Sequence, residues 1–132
     1  MKKLFLFLLC FSVTMSLCAC GGDVGNVKTR IGESSLYTEG EIKAAMGVVK
    51  SHFSREFENC VLTDLWYDED PAEAEEWADQ YHAKEAIILY SNFEAGPAAG
   101  DGSLNPNSTY SNWKWILVRN SGSWQLKTWG YG

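Results

Sequence analysis

From Asn112 to Tyr131 apolar and polar residues alternate with a period of two on either side of Asn120-Ser121-Gly122-Ser123, the pattern of a β-hairpin. Trp113, Trp115, Leu117 and Arg119 then share one face of the first strand, with Lys114, Ile116, Val118 and Asn120 on the other. A turn centred on Ser121-Gly122 sets Arg119 opposite Trp124, Leu117 opposite Leu126 and Trp115 opposite Thr128, leaving Trp129 near Lys114 on the mixed face. An indole and leucine surface of this kind needs cover, and helical patterns earlier in the chain can supply it.

The first of those patterns opens at Thr38, where Glu41 three residues on completes a capping box. Ile42, Met46, Val49, Phe53 and Phe57 follow at helical spacing as one apolar stripe. Cys60 to Asp68 reads as a strand with Val61, Leu65 and Tyr67 on one face and Cys60, Leu62, Asp64 and Trp66 on the other. Asp70 is an N-cap, Pro71 suits the first helical position, and Ala74, Trp77, Ala78 and Tyr81 give a short second helix its apolar side. Glu85 to Phe93 is apolar on both faces through Ile87-Ile88-Leu89-Tyr90, as a central strand is. Glu94 to Thr109 has no periodicity, and a connection that long is expected to be a lid or a mobile segment. The order predicts an α+β fold: a curved antiparallel sheet of about four strands packed on a long N-terminal helix and a short second helix.

Before all of this lies an export signal. Lys2-Lys3 is a basic start and Leu4 to Leu17 an apolar run, shorter than the ~20 residues of a membrane-spanning helix. It ends in Leu17-Cys18-Ala19-Cys20-Gly21-Gly22, which resembles the lipobox of bacterial lipoproteins, with Cys18 in a place usually held by Ala, Ser, Thr or Val. That resemblance implies residues 1–19 as a removed signal peptide, Cys20 as the lipid attachment site and the outer face of the cell membrane as the location. Residues 20–35 then read as a flexible tether, with an r.m.s. reach of roughly 20 Å for ~15 such residues. The domain itself would be residues 36–132.

Charge and cysteine content narrow the chemistry further. The whole chain carries −6; without Lys2 and Lys3, nine basic face seventeen acidic side chains, a formal −8, which argues against a nucleic-acid partner. Of four cysteines only Cys60 remains once the leader is removed and Cys20 is lipidated, and at the start of an apolar strand it reads as a buried thiol. Two histidines in different helices offer no zinc spacing, there is no Asp-x-Asp-x-Asp-Gly calcium loop, and no glycine-rich stretch joins a strand to a helix. No metal and no cofactor is expected. Asp64 stands out as a carboxylate between apolar neighbours. On a buried face it needs a partner or a raised pKa, and on a wet face it needs neither. His52 falls at the edge of the helical stripe and reads as an edge-of-core residue.

The succession of helix, strand, short helix, strand, long loop and tryptophan hairpin resembles the nuclear-transport-factor-2-like (cystatin-like) cone, in which a curved sheet wraps a helix. More narrowly, Leu36-Tyr37-Thr38-Glu39, Cys60 to Asp68, Gly102-Ser103-Leu104-Asn105-Pro106-Asn107 and the Asn112 to Tyr131 ending look like a family of Gram-positive lipoproteins whose shared domain has no assigned function. The resemblance covers residues 36–132. Members of the cone superfamily include isomerases, dehydratases and non-catalytic binding domains, so two readings follow. The first is a non-catalytic lipoprotein whose cone holds a small apolar ligand, docks an envelope protein or is merely packed shut, with Tyr67, Tyr90, Trp115 and Trp124 as candidate contacts. The second is an acid-base enzyme using Asp64 with a tyrosine. The aromatic content predicts a cone filled near the first helix and open only at its mouth, under the long loop.

Overall fold

The computed structural model describes residues 21–99 and 104–131. The leader 1–19 and Cys20 lie outside the described residues, as do 100–103 in the long connection. The elements are β1 Lys28–Ile31, α1 Glu39–Glu56, β2 Cys60–Tyr67, α2 Pro71–Gln80, β3 Glu85–Ala95, β4 Thr109–Arg119 and β5 Gln125–Gly130. The class is α+β, and five strands form one sheet in the order β1-β2-β3-β4-β5, with β3 at its centre. β2 to β5 are antiparallel neighbours, whereas β1 pairs with β2 in parallel. The expected antiparallel sheet of about four strands is thus corrected to a mixed sheet of five.

The fifth strand comes from the segment read as a tether. β1 buries almost nothing, so no apolar alternation marks it; what it offers is backbone, satisfying the open edge of β2 from Asp64 to Tyr67. Upstream, Asp23 N–H donates to the Cys60 carbonyl and its own carbonyl accepts from Leu62 N–H, each at 2.9 Å. Gly22 N–H donates to the Ser54 carbonyl at 3.0 Å, so close that a Cβ on Gly21 would lie 2.1 Å from that oxygen. The arm between Cys20 and the domain is laid along the sheet edge over residues 22–31 and does not serve as a flexible tether there.

α1 forms as its local signals dictate. Glu41 N–H donates to Thr38 Oγ1 (3.2 Å) and Thr38 N–H to Glu41 Oε1 (3.0 Å), closing the capping box. Ile42, Met46, Val49, Phe53 and Phe57 are all buried. They pack on Leu62, Leu65, Ile87, Leu89, Trp115 and Leu117, the inner face of the sheet. α2 starts at Asp70, whose Oδ1 accepts from Glu73 N–H at 3.1 Å, with Pro71 at its first turn. It packs on the opposite face: Ala74 meets Ile88 and Ile116, and Ala78 meets Ala86 and Val118. The sheet is sandwiched between two helices, and Trp77 and Tyr81 belong to the outer layer, not to the interior beside α1.

Three bulges decide which residues face where. Leu62 pairs with Phe93 and Asp64 with Asn92, leaving Thr63 as an extra residue on β2. One extra residue reverses alternation. Cys60, Leu62, Leu65 and Tyr67 therefore share the buried inner face, while Val61 (41 % exposed), Asp64 and Trp66 lie outside. A second bulge, between Ser91–Trp113 and Phe93–Tyr110, places Asn112 at φ 57°, its N–H donating to Asn92 Oδ1 at 3.0 Å. In the hairpin Leu117 pairs with Leu126 as the turn predicts, but Lys127 is then extra, so Trp115 meets Trp129 and Ile116 meets Thr128. The expected Trp115–Thr128 pairing is corrected by one residue, which carries Trp129 to the inner face.

The long connection is shorter than expected because β3 runs to Ala95. Its described residues are tied down: Gly96 N–H donates to the Asn59 carbonyl (2.8 Å), Asn107 N–H to the Gly96 carbonyl (3.1 Å) and Asn105 N–H to Tyr110 Oη (2.7 Å). Ala99 is buried in the α1-side core.

Candidate functional site

The space between α1 and the sheet is filled with rings. Trp115 is fully buried with Phe57, His52 and Trp129 at centroid distances of 5.3, 6.2 and 6.1 Å. Its indole N–H donates to Ser91 Oγ at 2.7 Å, and Ser91 is itself fully buried. Phe93, Tyr110, Trp113 and Tyr131 continue the packing toward the far end. His52 lies at the edge of this cluster, its ring 4.5 Å from that of Trp129, and burial holds its pKa below the ordinary histidine value. Its Nε2 is buried with no hydrogen-bond partner, as is Trp113 Nε1.

Tyr67 and Trp124, two of the residues singled out in the sequence, stand where α1 begins. Both are buried, at 2 % and 5 % exposure. Trp124 donates to the Glu41 carbonyl (3.1 Å), carries the Arg119 guanidinium 4.3 Å above its ring and meets Tyr37 edge-on at 5.4 Å. Arg119 binds both Glu41 and Glu85, so its charge is fully engaged. Tyr67 donates to Glu69 Oε1 at 3.2 Å. The Glu69 carboxylate also accepts from the Ser34 and Ser35 hydroxyls and from the Ser35 and Leu36 N–H groups, all between 2.6 and 3.1 Å. Those donors, the Ser34 hydroxyl foremost, bring Glu69 down to about 2, while burial pushes both Tyr37 and Tyr67 up to about 12. This is a brace that fastens the turn before α1. An open groove beside it is lined by Gly40, Glu41, Ala44, Arg119, Gly122 and Trp124, with Arg119 and Glu41 paired to each other across it.

Asp64 and Tyr90 are on the other face of the sheet, so the five residues read as candidates are not brought together. Asp64 Oδ2 accepts from Thr63 Oγ1 (2.8 Å) and Asn92 Nδ2 (3.3 Å). The bulge at Thr63 turned it outward, to the wetter of the two faces weighed in the sequence. Neither Tyr67 nor Tyr90 is among its hydrogen-bond partners.

Tyr90 belongs to an arrangement that only strand register creates. Arg30, Trp66, Tyr90, Lys114 and Gly130 are successive partners across all five strands, one row on the outer face. Arg30 lies 5.7 Å from the Trp66 ring, Trp66 and Tyr90 stack at 6.0 Å and 19°, and Lys114 Nζ lies 6.0 Å from the Tyr90 ring. Each cation has a carboxylate: Asp68 holds Arg30 at 3.0 Å, and Glu73 holds Lys114 at 2.7 Å. The Glu73 bond keeps the Lys114 pKa above its ordinary value, so the ammonium is charged at neutral pH. Glu73 also accepts from Trp77 Nε1 at 3.3 Å.

The row ends at Gly130, which has no side chain, and a cleft opens there. Its volume is about 110 Å³, and Trp77, Lys114, Ile116, Thr128, Trp129 and Tyr131 line it with Gly130. Trp129 and Tyr131 are the most exposed large aromatic residues described, at 43 % and 62 %. The row and its cleft form the candidate functional site. Of its members the sequence reading singled out Tyr90 alone; Trp66, Lys114 and Trp77 carry no local signal, because their proximity depends on register and on which face α2 covers.

Among the described residues no group of three or more His, Cys, Asp or Glu side chains is placed to hold a metal ion, and no helix is long and apolar enough to cross a membrane. Comparison with protein-family models, with curated proteins and with solved structures finds no match for this chain.

Proposed function

We propose that this chain is an exported lipoprotein anchored through Cys20 at the outer face of the cell membrane, and that its folded domain is a non-catalytic binding module of the nuclear-transport-factor-2-like kind. The fold assignment rests on α1 lying across the inner face of the β2–β5 meander; β1 and the outer position of α2 are departures from the expected plan. The binding reading rests on one observation above others. The interior beside α1 is occupied by interlocked rings, whereas outside it the half-buried Trp66, Tyr90 and Trp77, with paired charges among them, lie next to an open cleft. General acid-base chemistry works best where a titratable group reaches into a water-excluded space. Asp64 points away from the interior and is bonded to Thr63 and Asn92, so this arrangement supports binding better than the isomerase or dehydratase alternative.

The anchor reading carries a consequence for the domain's position. With residues 22–31 along the sheet edge, a lipid on Cys20 would hold the body close to the bilayer, beside the end of α1. The test is incorporation of a clickable fatty acid in cells expressing the parent and Cys20→Ser chains. Label on the parent alone, with the variant unprocessed or released to the medium, is the expected result; equal membrane retention of a processed, unlabelled Cys20→Ser chain overturns it.

A further inference from the structure

We propose that the cleft at Gly130 is a receptor for a single aromatic ring of a small molecule, uncharged or anionic, seated as the fifth member of the Arg30–Trp66–Tyr90–Lys114 row. This deepens the binding reading above and rests on it. The row repeats one kind of contact at nearly constant spacing, 5.7, 6.0 and 6.0 Å, in the order cation, ring, ring, cation. Each ring has one neighbour in the row on either side, so Trp66 and Tyr90 are already matched. Lys114 has Tyr90 on one side and Gly130, without a side chain, on the other.

The chain does not fill that place itself. A Cβ built on Gly130 meets nothing within 4 Å, and the backbone there has φ +136°, a conformation that other residues adopt only under strain. What surrounds the place suits a ring: Trp77 of α2 and the outer-face pair Ile116 and Thr128 line it beside Lys114, while the Trp129 and Tyr131 rings turn to the inner face against Trp115 and Trp113. The volume of about 110 Å³ is near that of an apolar cavity of roughly 150 Å³ known to accept benzene. Because the cleft is open, substituents of the ring extend into solvent.

Charge selects among rings. Lys114 Nζ is fixed by Glu73 and protonated, so it presents positive charge to the face of a π system and disfavours a cationic ligand. Glu73 balances it, so an anionic substituent is tolerated and not needed. An added β-strand is the less suitable occupant. β5 is an edge strand, but the bulge at Lys127 and the left-handed backbone at Gly130 break the regular ladder that a pairing strand requires.

The experiment is a titration of the intact chain in lipid nanodiscs with phenol, read by ¹⁹F resonance of 5-fluorotryptophan assigned at Trp77. Cyclohexanol and benzyltrimethylammonium are the size-matched controls, and an aromatic dipeptide is a further arm. Phenol should shift the Trp77 signal saturably, while both controls bind far more weakly. Lys114→Met, which keeps the aliphatic stem, should weaken phenol by about threefold to thirtyfold. Thr128→Phe, which adds a ring to the cleft lining, should abolish the shift, and an unchanged spectrum at Trp115 and Trp124, outside the cleft, confirms that both variants are folded. Equal response to phenol and cyclohexanol, or phenol binding unaffected by both variants, overturns the ring receptor, as does response to the dipeptide alone. If phenol binds as described but is converted to a product, the ring site stands and the non-catalytic reading falls. If nothing shifts Trp77 while fatty-acid label is present on Cys20, the ring site falls and the anchored lipoprotein stands.

Discussion

The two faces of the sheet are built on opposite principles. On the inner face Trp115, Leu65, Leu89 and Leu117, with Phe53 of α1 against them, are essentially without solvent contact, and the fully buried Ser91 hydroxyl there is spent on the Trp115 indole. On the outer face α2 covers only the Ile88–Ile116 and Ala86–Val118 part, and the rest is a row of half-buried rings and paired charges. Close packing makes every methylene on the inner face matter, whereas contacts shared with water tolerate change. The inner face therefore carries stability, and the outer face is where side chains are available to a ligand.

The sharpest way to break this contrast is a matched pair of truncations. Trp115→Ala should lower unfolding free energy by about 3–5 kcal/mol, a large part of a small domain's total. Measured by urea denaturation, a Trp115→Ala midpoint near that of the parent would mean that the inner face is not the stabilising one. Ser91→Ala removes few atoms but leaves the Trp115 N–H buried with no acceptor, and a loss of about 1–3 kcal/mol is expected. A Ser91→Ala change without cost would show that water reaches the indole. Trp66→Ala, by contrast, gives up a half-buried ring and a cation contact in which Arg30 is 61 % exposed, and should cost no more than about 1 kcal/mol. Destabilisation by Trp66→Ala as large as by Trp115→Ala would erase the distinction between faces.

A fourth and smaller effect sharpens the comparison at the sheet's end. Glu69 has a folded pKa of about 2 against 4.5 for the ordinary carboxyl, so the folded form holds its proton less tightly than the unfolded chain. The stability it adds is fully present above about pH 4.5 and is lost as pH falls from there toward 2. Glu69→Gln should flatten the pH dependence of stability in that window, and parallel curves for parent and variant would mean that the serine and backbone donors do not hold the carboxylate in solution.

Much of the architecture was legible because its signals are local. The Thr38–Glu41 capping box, the Ile42 to Phe57 stripe, the Asp70-Pro71 start and the apolar run of β3 each depend on residues within a turn or two of one another. Near the hairpin turn even register was predictable, since Leu117 pairs with Leu126. The errors begin at the bulges. Thr63, Asn112 and Lys127 look like any other strand residues, yet each shifts alternation by one, moving Leu62 and Trp129 inward and Val61 and Asp64 outward. β1 leaves no sign in the sequence for a related reason: it is almost wholly exposed and pairs with β2 chiefly through its backbone, so no apolar alternation marks it.

The candidate site marks the division most clearly. Where helices start, which of their faces is apolar and which strand is central follow from the order of residues along the chain, because propensity, capping and periodicity act over short distances. That Arg30, Trp66, Tyr90, Lys114 and Gly130 form one row, with Trp77 beside its open end, was decided only in the tertiary structure. Five strands had to choose their registers, and α2 had to choose a face, before residues a hundred positions apart could fall into one row.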